Sequence, residues 1–129
     1  MNVELQMLVW SVVLGLVQII VAVSGATGQR GLGWAASPRD GVQNPLTGVI
    51  ARLDRASANF LETFVFFAAA VLIDSVLQRH TATTVLGAQL YFWARLIYIP
   101  VYALGIPYLR TLIWLVSIVG ILLLLPPLF

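Results

Sequence analysis

Four membrane-spanning helices packed into one all-α bundle are the fold this sequence predicts, on three observations. Sixty per cent of the 129 residues are hydrophobic and only 9% are charged. The mean hydropathy is +0.98, far above that of a soluble domain. Four apolar stretches, at about 4–28, 46–77, 83–104 and 108–125, are separated by short breaks of glycine, proline or polar residues. The length suits four helices of about 20 to 25 residues and no separate soluble domain, so 1–129 reads as a single integral membrane domain.

The first segment, Leu5 to Gln29, carries no charge, and Gln18 is its central polar side chain. Its head, Met1 to Glu4, is acidic and lacks the positive region of a secretory signal. Gly25, Gly28, Gly31 and Gly33 then loosen the chain, and Ser37 to Gly41 reads as a turn, so the first loop is expected over 28–45. The second segment starts near Pro45 to Thr47 and ends at Leu77, before Gln78-Arg79-His80-Thr81. Asp74 has Arg79 within reach around that turn and reads as a structural or interfacial charge. His80, the single histidine, reads as a solvated loop residue, and no metal site is expected. In the third segment Pro100 removes a backbone donor and frees the carbonyl of Leu96, which predicts a kink. Gly105-Ile106-Pro107 is a tight connection to the fourth segment, which holds Arg110 and Thr111 in its first turn and ends at Pro126-Pro127.

The stretch Arg52 to Glu62 organises the chain, because charged and amide groups at the head of an apolar segment are costly in lipid. At about 100° per residue, Arg52, Arg55, Asn59, Glu62 and Phe66 share an arc of about 80°. Arg52 is also placed to snorkel at the interface, a purely anchoring role. Glu62 lies about 15 Å deeper, too far for a short side chain to snorkel, and needs a cationic or amine partner. On the third segment Tyr91, Arg95, Tyr98 and Tyr102 share one narrow face. Tyr91 and Tyr108 read as interfacial belt anchors, whereas Tyr98 and Tyr102 stack above an intramembrane arginine. Antiparallel neighbours would bring the two polar ladders to matching depth, with Glu62 and Arg95 as the floor, Arg55 and Tyr102 as the mouth, and Arg110 on the rim. Whether the two helices belong to one subunit or to two is open at this point.

All seven basic residues are arginine, and the net charge is +2. The planar guanidinium suits two-point recognition of carboxylates, so the bias fits acidic small molecules. No basic run is interleaved with aromatics, which argues against a nucleic-acid partner. Cysteine is absent, so any thiol chemistry must use a thiol brought by the substrate. Arg30, Arg39, Arg52, Arg55 and Arg110 concentrate in the first and third connections, which puts those connections in the cytoplasm and both termini outside it. Arg79 and His80 are the weak counter-signal.

A ligand for such a cavity needs carboxylates for the arginines, an ammonium for Glu62 and peptide-like groups for Asn59 and the tyrosines. Glutathione has all of these and the missing thiol. An apolar electrophile would enter from the membrane side. Arg55-Ala56-x-x-Asn59-x-x-Glu62, followed by Tyr91 to Tyr102 (YFWARLIYIPVY) and Arg110, resembles the family of membrane-associated proteins in eicosanoid and glutathione metabolism. The likeness covers the second to fourth segments and is greatest to its glutathione-conjugating branch. It implies a homotrimeric bundle in a bacterial inner membrane, with glutathione sites between neighbouring subunits. It further implies that Arg55, Asn59, Glu62, Arg95, Tyr98, Tyr102 and Thr111 hold glutathione and that Arg110 stabilises its thiolate. The first-loop arginine of that pattern is Arg39, with Arg30 as the rival. Tyr98 stands where the prostaglandin E branch carries histidine, which argues against that branch's isomerase activity. The competing reading is a non-catalytic membrane protein that binds an anionic lipid or metabolite and uses Glu62 and Arg95 only as a structural pair.

Overall fold

Helices make up nearly all of the computed structural model, which describes residues 2–38 and 45–129. Helix α1 spans Val3–Arg30, and its start is capped by Asn2, whose Oδ1 accepts from the Leu5 amide at 2.9 Å. A short helix, α2 (Leu32–Ala36), follows after Gly31. It stands where the sequence reads as a plain loop, because Leu32, Trp34, Ala35 and Ala36 are adequate helix formers between two breaking positions.

Helix α3 spans Gly48–Leu77. The side chain of Thr47 makes no cap for it. Instead the Gln29 amide grips both backbone groups of Thr47, donating to the carbonyl at 3.0 Å and accepting from the N–H at 3.1 Å. The head of α3 is therefore tied to the end of α1. Helix α4 spans Ala82–Ala103 and opens with a reciprocal cap between Thr81 and Thr84. It continues through Pro100, and α5 spans Pro107–Leu124 with Pro107 in its first turn. A 3₁₀ turn at Pro126–Leu128 closes the described chain.

Three of these segments, Val3–Arg30, Gly48–Leu77 and Pro107–Leu128, are long and apolar enough to cross a membrane. Helix α4 is the central element: it packs against α1, α3 and α5 and buries ten of its 22 residues, Arg95 among them. Its contact with α5 is backbone to backbone. A Cβ on Gly87 would stand 2.6 Å from the carbonyl oxygen of Gly120, and a Cβ on Gly120 would stand 2.7 Å from that of Gly87. Small residues at such a crossing let helices approach where lipid offers no hydrophobic drive for association.

The core draws on α1, α3, α4 and α5, and its aromatic centre lies between α3 and α4. Phe67 stacks on Tyr91 with ring centroids 4.1 Å apart, and the Tyr91 hydroxyl bonds Thr63 Oγ1 at 3.0 Å. Tyr91 is thus fully buried and not a belt anchor, since its face of α4 turns to α3 and Thr63 supplies the partner that its hydroxyl needs. Tyr108, by contrast, is exposed.

The end of the bundle that holds the head of α1 and the turn between α3 and α4 also departs from expectation. His80 is not a lone solvated imidazole: its Nδ1 lies 2.5 Å from Glu4 Oε2 and 2.8 Å from Asp74 Oδ2. The bond to Glu4, then that to Asp74 and both charges, raise the His80 pKa above the ordinary imidazole value, against partial desolvation. Arg79 does not serve Asp74. It turns to the carbonyls of Pro127 and Phe129, at 3.2 and 3.1 Å.

Candidate functional site

At the other end of the bundle, α3 and α4 run antiparallel in a register that five contacts define. Arg52 Nη1 donates to the Ala103 carbonyl at 3.0 Å, and Arg55 Nε donates to the Tyr102 hydroxyl at 3.2 Å. Ala56 packs with Tyr98 and Tyr102, Phe60 lies against Arg95, and Thr63 bonds Tyr91. The polar ladders therefore match in depth as the sequence predicts.

They do not match in direction. The small and aromatic residues Ala56, Phe60, Thr63 and Phe67 turn to the core, and Glu62 lies about 130° around α3 from the middle of that face. Its carboxylate is exposed, and among the described residues it forms no ion pair with Arg95. Phe60 fills the position that the expected Glu62 floor would take. Phe66 is likewise turned outward.

Arg95 is 1% exposed, and among the described residues none of its three side-chain nitrogens has a hydrogen-bond partner. Its guanidinium lies 4.3 Å from the centre of the Tyr98 ring and 5.6 Å from that of Phe60. Aromatic faces soften the loss of water around a cation but leave its N–H groups unsatisfied. Two further buried polar atoms nearby are also without partners, Asn59 Oδ1 and Trp114 Nε1.

Arg110 arrives from the following helix through a tight reversal. Gly105 adopts φ +73°, its N–H bonds the Tyr102 carbonyl at 2.9 Å, and the Ile106 N–H bonds that of Val101 at 3.3 Å. This left-handed end to α4 turns the chain back at once, and it favours glycine at that position. The Arg110 guanidinium then lies 4.8 Å over the Tyr102 ring, so Tyr102 stands between Arg55 and Arg110.

Two small cavities meet at Arg110. One, of about 210 Å³, is lined by Asn59, Tyr98, Arg110, Thr111 and Trp114. The other, of about 160 Å³, is lined by Arg52, Arg55, Tyr102, Gly105, Pro107 and Arg110. The Trp114 side of the first leads to a groove of about 650 Å³ between α3 and α5, walled by Glu62, Phe66, Ile118 and Ile121. A polar recess and an apolar trough thus share one tryptophan. Arg30 lines a further cavity of about 470 Å³ with Trp34, Asp54 and Arg55, and its guanidinium is 4.7 Å from the Trp34 ring. Arg39 lies outside the described residues.

The structure therefore brings together Arg55, Asn59, Arg95, Tyr98, Tyr102, Arg110 and Thr111, and it leaves Glu62 one wall away. Trp114, one turn beyond Arg110 on the same face, is the one residue after Thr111 that the sequence marks for chemistry. Phe60 escaped sequence reasoning, being one apolar residue among many.

No curated protein matches the chain. A family match covers residues 7–126, nearly the whole length, and it is to the MAPEG family. With three apolar segments long enough to span a bilayer, the chain is an integral membrane protein that belongs to the MAPEG family of membrane-associated proteins in eicosanoid and glutathione metabolism.

Proposed function

We propose that this protein is a membrane-bound glutathione transferase or peroxidase acting on apolar electrophiles. The observation that carries the proposal is a recess lined by Asn59, Tyr98, Arg110, Thr111 and Trp114 in which, among the described residues, Asn59 Oδ1 and Trp114 Nε1 are buried without partners, with the equally unpartnered Arg95 guanidinium packed on the Tyr98 ring. Buried polar groups are ordinarily bonded, so such a set calls for a polar ligand. The available groups fit a small peptide with carboxylates: guanidiniums from Arg55 and Arg110 at the two cavities, and from Arg95 packed on Tyr98, for the carboxylates, and Asn59, Tyr98 and Thr111 for amide groups.

Arg110 sits where the polar recess approaches the apolar groove, which suits it to stabilise a thiolate. A fixed guanidinium stays charged and favours the thiolate over the thiol without accepting its proton. The proton leaves to water at the mouth, and the sulfur then forms a bond to an electrophile that enters along the groove from lipid. In conjugation the electrophile's leaving group or π-electron pair accepts the displaced charge. In peroxide reduction the oxygen–oxygen bond breaks and a second glutathione completes the disulfide.

The protein works as a homotrimer in this reading, with a site closed by a neighbouring copy. Two features support that. Each of the two cavities that meet at Arg110 is smaller than the roughly 300–1,000 Å³ of ordinary ligand sites. The exposed Glu62 carboxylate stands among apolar groove residues, and a carboxylate left to lipid is costly. A neighbour or the ligand's ammonium must cover it. Both termini face away from the cytoplasm, with the arginine-rich mouth on the cytoplasmic side of a bacterial inner membrane. Saturable binding of glutathione to purified protein, followed by turnover of a general electrophile, is the test. Binding without turnover favours the non-catalytic reading.

A further inference from the structure

The cluster at the opposite end of the bundle has no part in that chemistry. Glu4 from α1 and Asp74 from α3 are 1% and 0% exposed, yet both turn one oxygen to the same imidazole nitrogen of His80. Each leaves its second oxygen, Glu4 Oε1 and Asp74 Oδ1, buried with no hydrogen-bond partner. A single N–H cannot satisfy four carboxylate oxygens. The arginine nearest in sequence, Arg79, is committed to the carbonyls of Pro127 and Phe129. Among the described residues, two buried carboxylates therefore face one ring with no arginine paired to them.

We propose that Glu4, Asp74 and His80 form a binding site for a divalent transition-metal cation of the zinc type, which clamps α1, α3 and the turn before α4 together. One ligand atom from each residue lies within 4.8 Å of the other two. Zinc bonds of about 2.0–2.2 Å space tetrahedral ligands about 3.4 Å apart, so the side chains need only part by less than about 1 Å. A dication neutralises both carboxylates, and bidentate coordination uses the two orphaned oxygens. The imidazole selects against calcium and magnesium, which take oxygen ligands. His80 is partly exposed in a turn, which gives the ion a path of entry and leaves room for water as a further ligand.

Metal on Nδ1 moves the ring proton to Nε2. In the structure Nε2 lies 3.1 Å from the Asn2 amide nitrogen, a donor, and Asn2 Oδ1 is already held by the Leu5 amide. Loading thus requires Asn2 to turn away. Asn2→Asp keeps the helix cap and offers Nε2–H an acceptor, the arrangement that supports metal-bound histidines elsewhere.

The test uses full-length, tag-free protein in detergent, stripped with chelator and titrated calorimetrically with zinc and spectroscopically with cobalt. One ion per chain is expected, with a cobalt absorption band indicating nitrogen and oxygen ligands. His80→Gln should weaken binding at least about 100-fold and Asn2→Asp should strengthen it about tenfold. Glutathione binding should stay unchanged in His80→Gln. Because Asp74→Asn could disturb folding, His80→Gln in the exposed turn is the deciding variant. No saturable zinc or cobalt binding, binding that survives His80→Gln, or equal binding of calcium and magnesium would overturn the proposal.

Discussion

The guanidinium of Arg95 lies 4.3 Å from the centre of the Tyr98 ring, three residues further along α4, with no hydrogen-bond acceptor on any of its nitrogens. A charge held this way inside a bundle costs stability, and it persists in natural proteins chiefly where function requires it. Arg95→Met should therefore stabilise the protein in detergent by about 1 kcal/mol or more, while ligand binding falls sharply. Thermal unfolding and glutathione calorimetry on the same preparations separate the two effects. Loss of stability together with loss of binding would make Arg95 a structural residue.

The crossing of α4 and α5 offers a prediction free of any ligand. A side chain at Gly120 meets the carbonyl of Gly87 at 2.7 Å and the Tyr91 amide nitrogen at 2.8 Å, both rigid backbone. Gly120→Leu should cost about 1–3 kcal/mol or prevent folding, and Gly120→Ala should show the same sign in smaller measure. Thermal midpoints of the two variants, ranked by side-chain size, check this.

Tyr102 joins two arginines by different means, a hydrogen bond to Arg55 and a ring face to Arg110. Tyr102→Phe removes the first and keeps the second. Binding of glutathione should weaken by about 1 kcal/mol, or roughly fivefold, with the turnover number little changed. A fall in turnover with unaltered affinity would place the hydroxyl in the chemistry instead.

Glu62 separates subunit assembly from ligand binding. The carboxylate is exposed beside the α3–α5 groove, so Glu62→Gln should leave the protomer fold intact. In the proposed trimer it should weaken glutathione binding by tenfold or more, since about 1.4 kcal/mol lost from an ammonium contact suffices for that. Sedimentation and calorimetry on the variant answer together. Dissociation into protomers would make Glu62 an assembly residue.

Depth was legible in the sequence and direction was not. Rise per residue fixes how far Arg55, Glu62, Arg95 and Tyr102 lie along their helices, and the contacts from Arg52 to Thr63 keep that register. The rotation of α3 about its axis depends on which face packs best against α4. Ala56, Phe60, Thr63 and Phe67 won that contest through close packing that hydropathy does not encode, and Glu62 was turned outward. Tyr91 was misread for a related reason: its burial depends on Thr63, 28 residues away. The cluster of Glu4, Asp74 and His80 was out of reach because Glu4 lies 76 residues from His80 and joins the Asp74–His80 pair only when α1 packs on α3.

The central claim is that Arg110 stabilises a glutathione thiolate, and the ultraviolet absorbance of bound thiolate, titrated against pH in the native protein and in Arg110→Ala, tests it most directly. The native protein should show the thiolate well below the ordinary thiol pKa of about 8.5. The variant should still bind glutathione, through Arg55, Asn59 and Arg95, but form the thiolate only near that ordinary value. An unchanged thiolate pKa in Arg110→Ala, or no thiolate signal from the native protein at saturating glutathione, would contradict the account.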